Sequence, residues 1–581
     1  MQLKTLRKSF VASCHVYCDY VHVYCVYVLD AQPALEEAGA FFFPDLLAFV
    51  MAITSDDGSQ SQAIAKADVQ ELLSKRPSVT LSSEYRAYAV YVLELLNQLG
   101  VLWSNRSRQL RALSYLSAGL ALCEQLLDDQ NQALTAARTL THFYLAQVYG
   151  SLGLADESAR FCLSTLELQL LQCVNDVDND TSRFAGAHEW VRNALKLVEF
   201  YLDTEKPKDA ATCLRASEYM LLSHAAELEG EDEEQTMLQA EVYSTWSRLH
   251  VLTLQLASMR KEGYTPYTTS EIGSILPCPS SMESTLAQLE GSTGNLKPKR
   301  SGNAGDEEED AGFGMEFVSA DAVTTFDQAR HVFKMGLRAC TRALSVFVLD
   351  GFVTQHVRLL QRESALYRRL LAFEEARGRR VAMQRRRLAL LSPLLGDTLN
   401  ARAFGDLLQE LYFECAEVNA DIFELKQSKE AGDKATSYAL KAIHCYQQFL
   451  LLYYPASEPE TTKEDPRSSV LAGGKHVQLP PGDVMAPREF RTLLLGFFGL
   501  AHICGKVVFP LETSKTVGYW RQSLAYHEAV LELVRKFEQQ QPGANGRELR
   551  SSFEAELTIC SEMTELLPEK INQLVYNGKA L

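Results

Sequence analysis

Cysteine and histidine side chains cluster near the amino terminus in a pattern that a metal site could use. Cys14, His15, Cys18, His22 and Cys25 fall within twelve residues, and thiolates and imidazoles are ligands that zinc prefers. However, the tetrapeptide HVYC occurs twice in this stretch, so a tandem duplication of seven residues explains the spacing. No second pair of ligands follows at the distance of a zinc finger. We therefore predict no bound metal and no other cofactor.

Two further patterns resemble catalytic motifs but lack an essential residue. GLAHICGK at 499–506 resembles a phosphate-binding loop, but its glycines are one residue too far apart, and Val507 stands where a hydroxyl would bind magnesium. His188 and His527 each precede a glutamate, but neither is followed by the second histidine of a zinc protease. No Ser or Cys lies on a nucleophile elbow. The sequence therefore predicts a protein that is not an enzyme.

Composition points to a helical protein that binds other proteins. Of the 581 residues, 46% are hydrophobic and 23% charged, which is ordinary for a globular protein, and the abundance of Leu, Ala, Glu and Gln favours helix. The formal net charge of −17 repels nucleic acid and anionic membranes at long range and favours basic partners, although solubility alone also explains acidity. The scattered cysteines suit free thiols in a reducing cytoplasm.

Long amphipathic helices joined by short turns begin near residue 81. Such helices in successive antiparallel pairs indicate an α-solenoid or a helical bundle. The predicted helices are 81–104, 107–128, 132–152, 155–174, 185–203, 206–228, 232–261, 322–350, 352–377, 380–395, 399–428, 433–454, 488–508, 513–540 and 547–577.

Breaks in this pattern divide the chain. Residues 1–80 form an atypical amino-terminal segment. Within it, residues 10–28 are too polar to span a membrane and lack the apolar centre of a signal peptide. Residues 81–262 form one helical-repeat half, and 321–581 form the other. Between them, 263–320 is rich in Ser, Thr, Gly and Pro and contains an acidic run, which predicts a disordered loop. A second long loop is predicted at 456–486.

The helix pairs carry a weak tetratricopeptide-repeat signature. In the clearest copy, Tyr144, Leu145 and Tyr149 precede Gly153 and Ser158. The repeat places small residues where two helices cross closely and large ones in the gaps. Two further copies follow the same order, with spacings of 46 to 52 residues rather than the usual ~34. An irregular tetratricopeptide-like stack is therefore expected.

Arginines are concentrated in one region of the carboxy-terminal half. Nine occur between Gln361 and Leu388, together with three glutamates. Two interpretations stay open: a solvated helix face that pairs with acidic loops, or a contact surface for an acidic partner.

Several long stretches resemble the kinesin-binding protein family, also called the KIF-binding protein family. The similarity runs in order from about residue 85 to the carboxy terminus, while the first eighty residues do not resemble the family. The stretches are THFYLAQVYGSLGLADESARFCLSTLELQL (141–170), HEWVRNALKLVEFYL (188–202), FVLDGFVTQHVRLLQRESALYRRLLAFE (347–374) and SEMTELLPEKI (561–571).

This resemblance implies an all-α, right-handed solenoid of antiparallel helix pairs in two halves. It also implies binding to kinesin motor domains on the face that grips the microtubule, which would inhibit motor attachment and transport. A cytoplasmic, cytoskeleton-associated protein is implied, with microtubule-associated proteins as further partners and without nucleic-acid binding or membrane insertion. The acidic balance fits, since a motor face that binds acidic tubulin is basic.

Repeat geometry suggests which residues contact a partner, because the first helix of each pair lines the groove. On helix 185–203 the stripe Trp190, Ala194, Leu197 and Tyr201 must face the core, which leaves other positions for binding. Tyr144 is the preferred anchor, since exposed aromatics dominate interfaces. The predicted partner-binding residues are Tyr144, Gln147, Ser151, Gln169, Arg192, Lys196 and Glu199.

A second function remains open: a generic tetratricopeptide scaffold or co-chaperone that binds the peptide tails of partner proteins. Repeats of that kind hold a terminal carboxylate with clustered Lys and Arg. No tight cluster of this type is evident within 81–228. Binding to motor domains versus tail peptides would distinguish the two functions.

Overall fold

The structure is a computed structural model that describes most of the chain. The described residues are 32–53, 66–81, 86–126, 132–175, 186–227, 232–263, 277–292, 315–427, 432–454, 466–482 and 485–578. Within them the protein is all-α, with twenty-one α-helices and no β-strand. The predicted fold class is thus confirmed as all-α. The cysteine–histidine cluster of the amino terminus lies outside the described residues.

The described residues divide into two compact units. Unit 1 comprises those in 1–252 and 265–319, and unit 2 those in 253–264 and 320–581. Helix α10 contributes residues to both units. The helices in chain order are α1 Gln32–Phe42, α2 Pro44–Ala52, α3 Lys66–Ser74, α4 Ala89–Asn105, α5 Gln109–Gln125, α6 Gln132–Ser151, α7 Ala155–Asn175, α8 Ala187–Asp203, α9 Pro207–Glu227, α10 Glu233–Lys261, α11 Ser280–Ser292, α12 Phe326–Leu344, α13 Val353–Leu370, α14 Arg377–Leu391, α15 Gly405–Gln427, α16 Gly432–Leu452, α17 Pro466–Ala472, α18 Pro487–Lys506, α19 Thr513–Gln540, α20 Ala544–Ser552 and α21 Glu554–Gly578.

Neighbouring helices pack as antiparallel pairs in both units. In unit 1 the most extensive contacts join α4 with α5, α6 with α7, and α8 with α9. In unit 2 they join α15 with α16 and α18 with α19. This order follows from amphipathic helices linked by short turns, because each helix buries its apolar stripe against the preceding one.

The amino-terminal region contributes to the core of unit 1. Helices α1 and α2 pack on α4 and α5, and Phe43, Leu46 and Val50 are fully buried there. The Arg111 guanidinium donates two hydrogen bonds to the Ile53 carbonyl, at 3.1 and 2.8 Å, which holds the end of α2. Part of the segment predicted to be atypical is therefore integral to the fold.

Both predicted long loops contain ordered helix. Helix α11 lies inside 263–320 and packs on α7 and α9, with Met282, Leu286 and Leu289 buried. Residues 280–292 of the segment predicted as a loop therefore form a helix, because three apolar side chains at helical spacing suffice to dock it. Helix α17 similarly lies inside 456–486, and the acidic run of the first loop lies outside the described residues.

Glycines allow the helices of unit 2 to approach closely. A Cβ atom on Gly496 would lie 2.4 Å from the Phe449 ring, and one on Gly499 would lie 2.5 Å from the Tyr446 ring. Those rings are themselves buried. Only glycine therefore fits where α18 crosses α16.

Among the described residues, no helix is both long enough and apolar enough to cross a membrane.

Candidate protein-binding groove

An open cavity of about 430 Å³ lies in unit 1 between α6, α7 and α8. We call it the α6–α8 groove. Its walls are largely apolar, with a few polar side chains at the rim. The lining residues are Phe143, Ala146, Gln147, Gly150, Gly153, Ala155, Ser158, Ala159, Cys162, Thr165, Leu166, Asn193, Lys196, Leu197 and Phe200.

Small residues form the floor of the groove where α6 and α7 cross. The Ser158 hydroxyl donates to the Ala146 carbonyl at 2.7 Å, and a Cβ on Gly150 would lie only 3.3 Å from the Ser158 oxygen. Gly153, with φ of +74°, makes the turn between the two helices. A left-handed turn of this kind favours glycine, so Gly153 allows a tight hairpin between α6 and α7. The small side chains at the crossing leave the groove surface shallow and open.

The indole of Trp190 holds helix α8 against α7. The Trp190 Nε1 donates to the Leu166 carbonyl at 3.1 Å, and Trp190, Ala194, Leu197 and Tyr201 are all buried. The predicted core stripe of this helix is therefore confirmed. Because this stripe faces the core, the adjacent face of α8, with Asn193, Lys196 and Phe200, lines the groove.

The exposed groups of the groove suit a protein or peptide ligand. Phe143 and Phe200 are half-buried, and Gln147 and Lys196 are exposed. The Lys196 ammonium donates to the Asn193 side-chain oxygen at 3.3 Å. Burial raises the pKa of the half-buried Cys162 thiol to about 11, so the thiol is protonated at neutral pH. Apolar walls with aromatic edges and a few polar groups are typical of binding surfaces.

No set of three metal-binding side chains occurs among the described residues. The groove itself holds one lysine and no carboxylate. It therefore offers a contact surface rather than a general acid and base pair.

Two of the predicted partner-binding residues, Gln147 and Lys196, line the groove together. Tyr144 does not line it. Its ring is half-buried against the core of unit 1, and that burial raises its pKa. The description of Tyr144 as an exposed aromatic is therefore wrong, and the adjacent Phe143 holds the groove position.

The other four predicted residues lie away from the groove lining. Ser151 is exposed and donates to the Gln147 carbonyl within α6, at 3.0 Å. Gln169 is half-buried on α7. Two residues on α8 face α10 instead: Arg192 forms an ion pair with Glu234, and Glu199 accepts a bond of 3.2 Å from Arg248.

Sequence reasoning missed both aromatic edges of the groove, although a signal was present. Asn193, Lys196 and Phe200 follow one helical face at intervals of three and four residues, beside the buried stripe of α8. Phe143 likewise shares a face of α6 with Gln147. A large aromatic outside the core stripe is the feature that marks such a surface.

These features define an all-α protein of consecutive helix pairs with an open apolar groove. A family model described as KIF-1 binding protein C terminal matches residues 188–574, which is more than half of the chain. The chain therefore belongs to the KIF-binding protein family.

Curated relatives extend this similarity over most of the chain. KIF-binding protein of Gallus gallus is 26% identical over 531 residues, which cover 83% of this chain and 80% of that protein. The Homo sapiens protein is 24% identical over 532 residues, or 83% of this chain and 76% of its own length. The Dictyostelium discoideum protein is 23% identical over 491 residues, covering 76% and 72% respectively.

Proposed function

We propose that this protein binds kinesin motor domains, blocks the face that grips the microtubule, and thereby inhibits motor attachment. Membership of a family whose relatives are named for KIF binding is the observation that carries the proposal. The protein acts in the cytoplasm, at the cytoskeleton. We further propose that the helix pairs within each unit stack in a tetratricopeptide-like, right-handed manner.

The α6–α8 groove is the proposed contact surface for the motor. Phe143 and Phe200 supply aromatic anchors whose ordering costs little entropy, because each has only two side-chain torsions. Gln147, Asn193 and Lys196 supply hydrogen bonds at the rim. This combination of an apolar centre and a polar rim matches the general anatomy of protein interfaces.

Charge supports the choice of partner. Residues 81–262, which include the whole groove, contain 25 acidic and 15 basic residues, a net charge of −10. A motor face adapted to acidic tubulin is basic, so this half of the chain steers the motor toward itself. Raising the salt concentration should accordingly slow association more than it accelerates dissociation.

The test is microtubule co-sedimentation of purified motor domains with and without the full chain. The proposal expects less motor in the pellet when the chain is present, without nucleotide hydrolysis by the chain. Gln147→Ala combined with Lys196→Ala removes both rim side chains and should weaken motor binding about tenfold or more. Both side chains are exposed, so helicity and melting temperature should stay unchanged.

A matched control uses the same two chemical changes outside the groove, as Gln132→Ala with Lys208→Ala. Both of these side chains are also exposed. If every motor tested pellets equally with and without the chain, the inhibitory function is wrong. If inhibition occurs but the groove and control variants behave alike, the function stands and the groove is not its site. Binding to tail peptides instead of motor domains would favour the generic scaffold.

A further inference from the structure

The first helices of unit 2 carry a concentration of positive charge that the groove does not use. Residues 326–391 contain fourteen Lys and Arg and five Asp and Glu, a net charge of +9 within a chain whose total is −17. Helix α14 contains six arginines and no acidic residue. Such a local reversal of sign requires a physical explanation.

Structural pairing explains only part of this charge. Arg387 is buried and bonded to Glu414 at 2.9 Å, and Arg379 pairs with the buried Glu374 carboxylate, also at 2.9 Å. By contrast, three exposed cations of α12 have no carboxylate partner among the described residues. They are Arg330, Lys334 and Arg338, which follow one another at intervals of one helical turn.

Aromatic contacts bring the arginines of α14 alongside α12. The Arg379 guanidinium lies 5.6 Å from the Phe326 ring centre. The Arg386 guanidinium donates to the Tyr367 hydroxyl at 3.3 Å, and the Tyr367 ring lies 4.7 Å from Phe333. Phe326 begins α12 one turn before Arg330, so the first turn of α14 lies near the amino-terminal end of this row of cations, while Phe333 is buried beneath the row. We call the exposed, positively charged surface of these helices the arginine surface, defined by Arg330, Lys334, Arg338 and Arg386.

We propose that the arginine surface binds a carboxylate-rich segment of a partner protein. Guanidinium groups match carboxylates in geometry and form charge-assisted hydrogen bonds with them. The hydrogen bond to the Tyr367 hydroxyl holds the Arg386 guanidinium in place, which reduces the entropy lost on binding.

The spacing of the cations favours an extended peptide. The cations of α12 are four residues apart and therefore about 6 Å apart along the helix axis. Alternate residues of an extended chain are about 6.6 Å apart and point to the same side. Glutamates at alternate positions can therefore each meet a separate cation of the arginine surface.

An acidic peptide fits better than a nucleic acid. The chain outside 326–391 carries a net charge of −26, which repels a long polyanion at long range. A short peptide occupies only the basic surface, where Arg and Lys outnumber carboxylates. The acidic partner and the motor proposed for the α6–α8 groove use different residues, so each proposal can fail without the other.

Fluorescence anisotropy with a labelled peptide of alternating Glu and Ser tests this inference on the full chain. Saturable binding is expected at low salt, with affinity falling as salt rises, and no binding is expected for the peptide with Gln in place of Glu. Arg330→Gln with Lys334→Gln should weaken binding about tenfold or more. Arg386→Gln, measured separately, should weaken binding in the same direction.

The matched control is Arg488→Gln with Arg521→Gln, two exposed arginines of unit 2 outside the arginine surface. It removes the same charge and should leave peptide affinity nearly unchanged. No saturable binding at low salt, or equal weakening by the control pair, would overturn the inference. So would tighter binding of a single-stranded oligonucleotide or an anionic vesicle than of the peptide. The substituted cations of α12 are exposed and form no ion pair with any residue that the structure describes, so the α12 variants should melt like the wild type. Arg338→Gln provides an independent second test.

Discussion

A buried histidine should make the stability of unit 1 depend on pH. His142 is buried beside Phe161, with their ring centres 5.6 Å apart. Neither of its ring nitrogens has a hydrogen-bond partner among the described residues. Burial, together with the positive charges of Arg138 and Arg160, lowers its pKa to about 4. The folded protein therefore holds this imidazole neutral.

The sign and size of the effect follow from linkage. The unfolded chain protonates His142 near its ordinary pKa of 6.5, so below that pH the unfolded state binds more protons than the folded state. Stability is thus lost as pH falls from 6.5 toward 4. Between pH 7 and pH 5, a single histidine with these pKa values removes about 2 kcal/mol from the free energy of unfolding.

His142→Phe should remove this dependence while keeping an aromatic ring against Phe161. The measurement is urea unfolding at pH 7 and pH 5, followed by tryptophan fluorescence, which mainly reports unit 1 because Trp103, Trp190 and Trp246 lie there. The variant should lose about 2 kcal/mol less than the wild type between the two pH values.

Exposed His476→Gln serves as the control for this experiment and should behave like the wild type. The reasoning is refuted if the wild type and His142→Phe lose equal stability on acidification. In that case the imidazole does not remain neutral in the folded state.

Two further predictions concern unit 2. Gly496→Ala should lower the free energy of unfolding by about 1–3 kcal/mol, because its Cβ would overlap the Phe449 ring. Its control, Gly378→Ala, has open space around it and should be neutral or stabilising by up to about 1 kcal/mol. Chemical denaturation measures both changes. Arg387→Ala should lower the free energy of unfolding by about 3–5 kcal/mol, since it leaves the partly buried Glu414 carboxylate without its partner. Its control, Arg385→Ala, changes an exposed neighbour and should lower that free energy by less than about 1 kcal/mol. Similar midpoints for Arg387→Ala and Arg385→Ala would contradict the structural role of the buried guanidinium.

Helical periodicity predicted the regular part of the fold. The stripe of α8 was predictable because large apolar residues recur every three or four positions between polar ones, and Trp190 and Tyr201 are buried accordingly. Helices such as α19, predicted and observed at 513–540, are long enough for the period to be unambiguous. Fold class and pairing order therefore follow from the sequence.

The missed elements are short, and tertiary contacts stabilise them. Helix α11 has thirteen residues, and four of them are Ser and one Gly, so local propensity alone argues against it. Leu286 and Leu289 become buried only because α7 and α9 provide a surface. Nothing local in the sequence identifies that surface.

The groove was predicted only in part for a similar reason. Periodicity assigns a residue to a face of its helix but does not tell which neighbouring helix covers that face. Tyr144 and Phe143 are adjacent aromatics on α6, and only the packing of α7 and α8 decides which ring is covered. Arg192 was expected at a binding surface, but it forms an ion pair with Glu234 on α10. The sequence does not reveal this pair, because the two residues are 42 positions apart.

Cys162 gives the α6–α8 groove a built-in chemical reporter. Its thiol lies on the groove wall and, with a pKa raised to about 11, alkylates slowly at neutral pH because the thiolate is the reactive form. Any ligand seated in the groove covers this sulfur and slows its alkylation further, whereas the exposed Cys278 serves as an internal reference in the same sample. Mass spectrometry of the two alkylated peptides can therefore measure occupancy of the groove in the wild-type chain, without a label or a substitution.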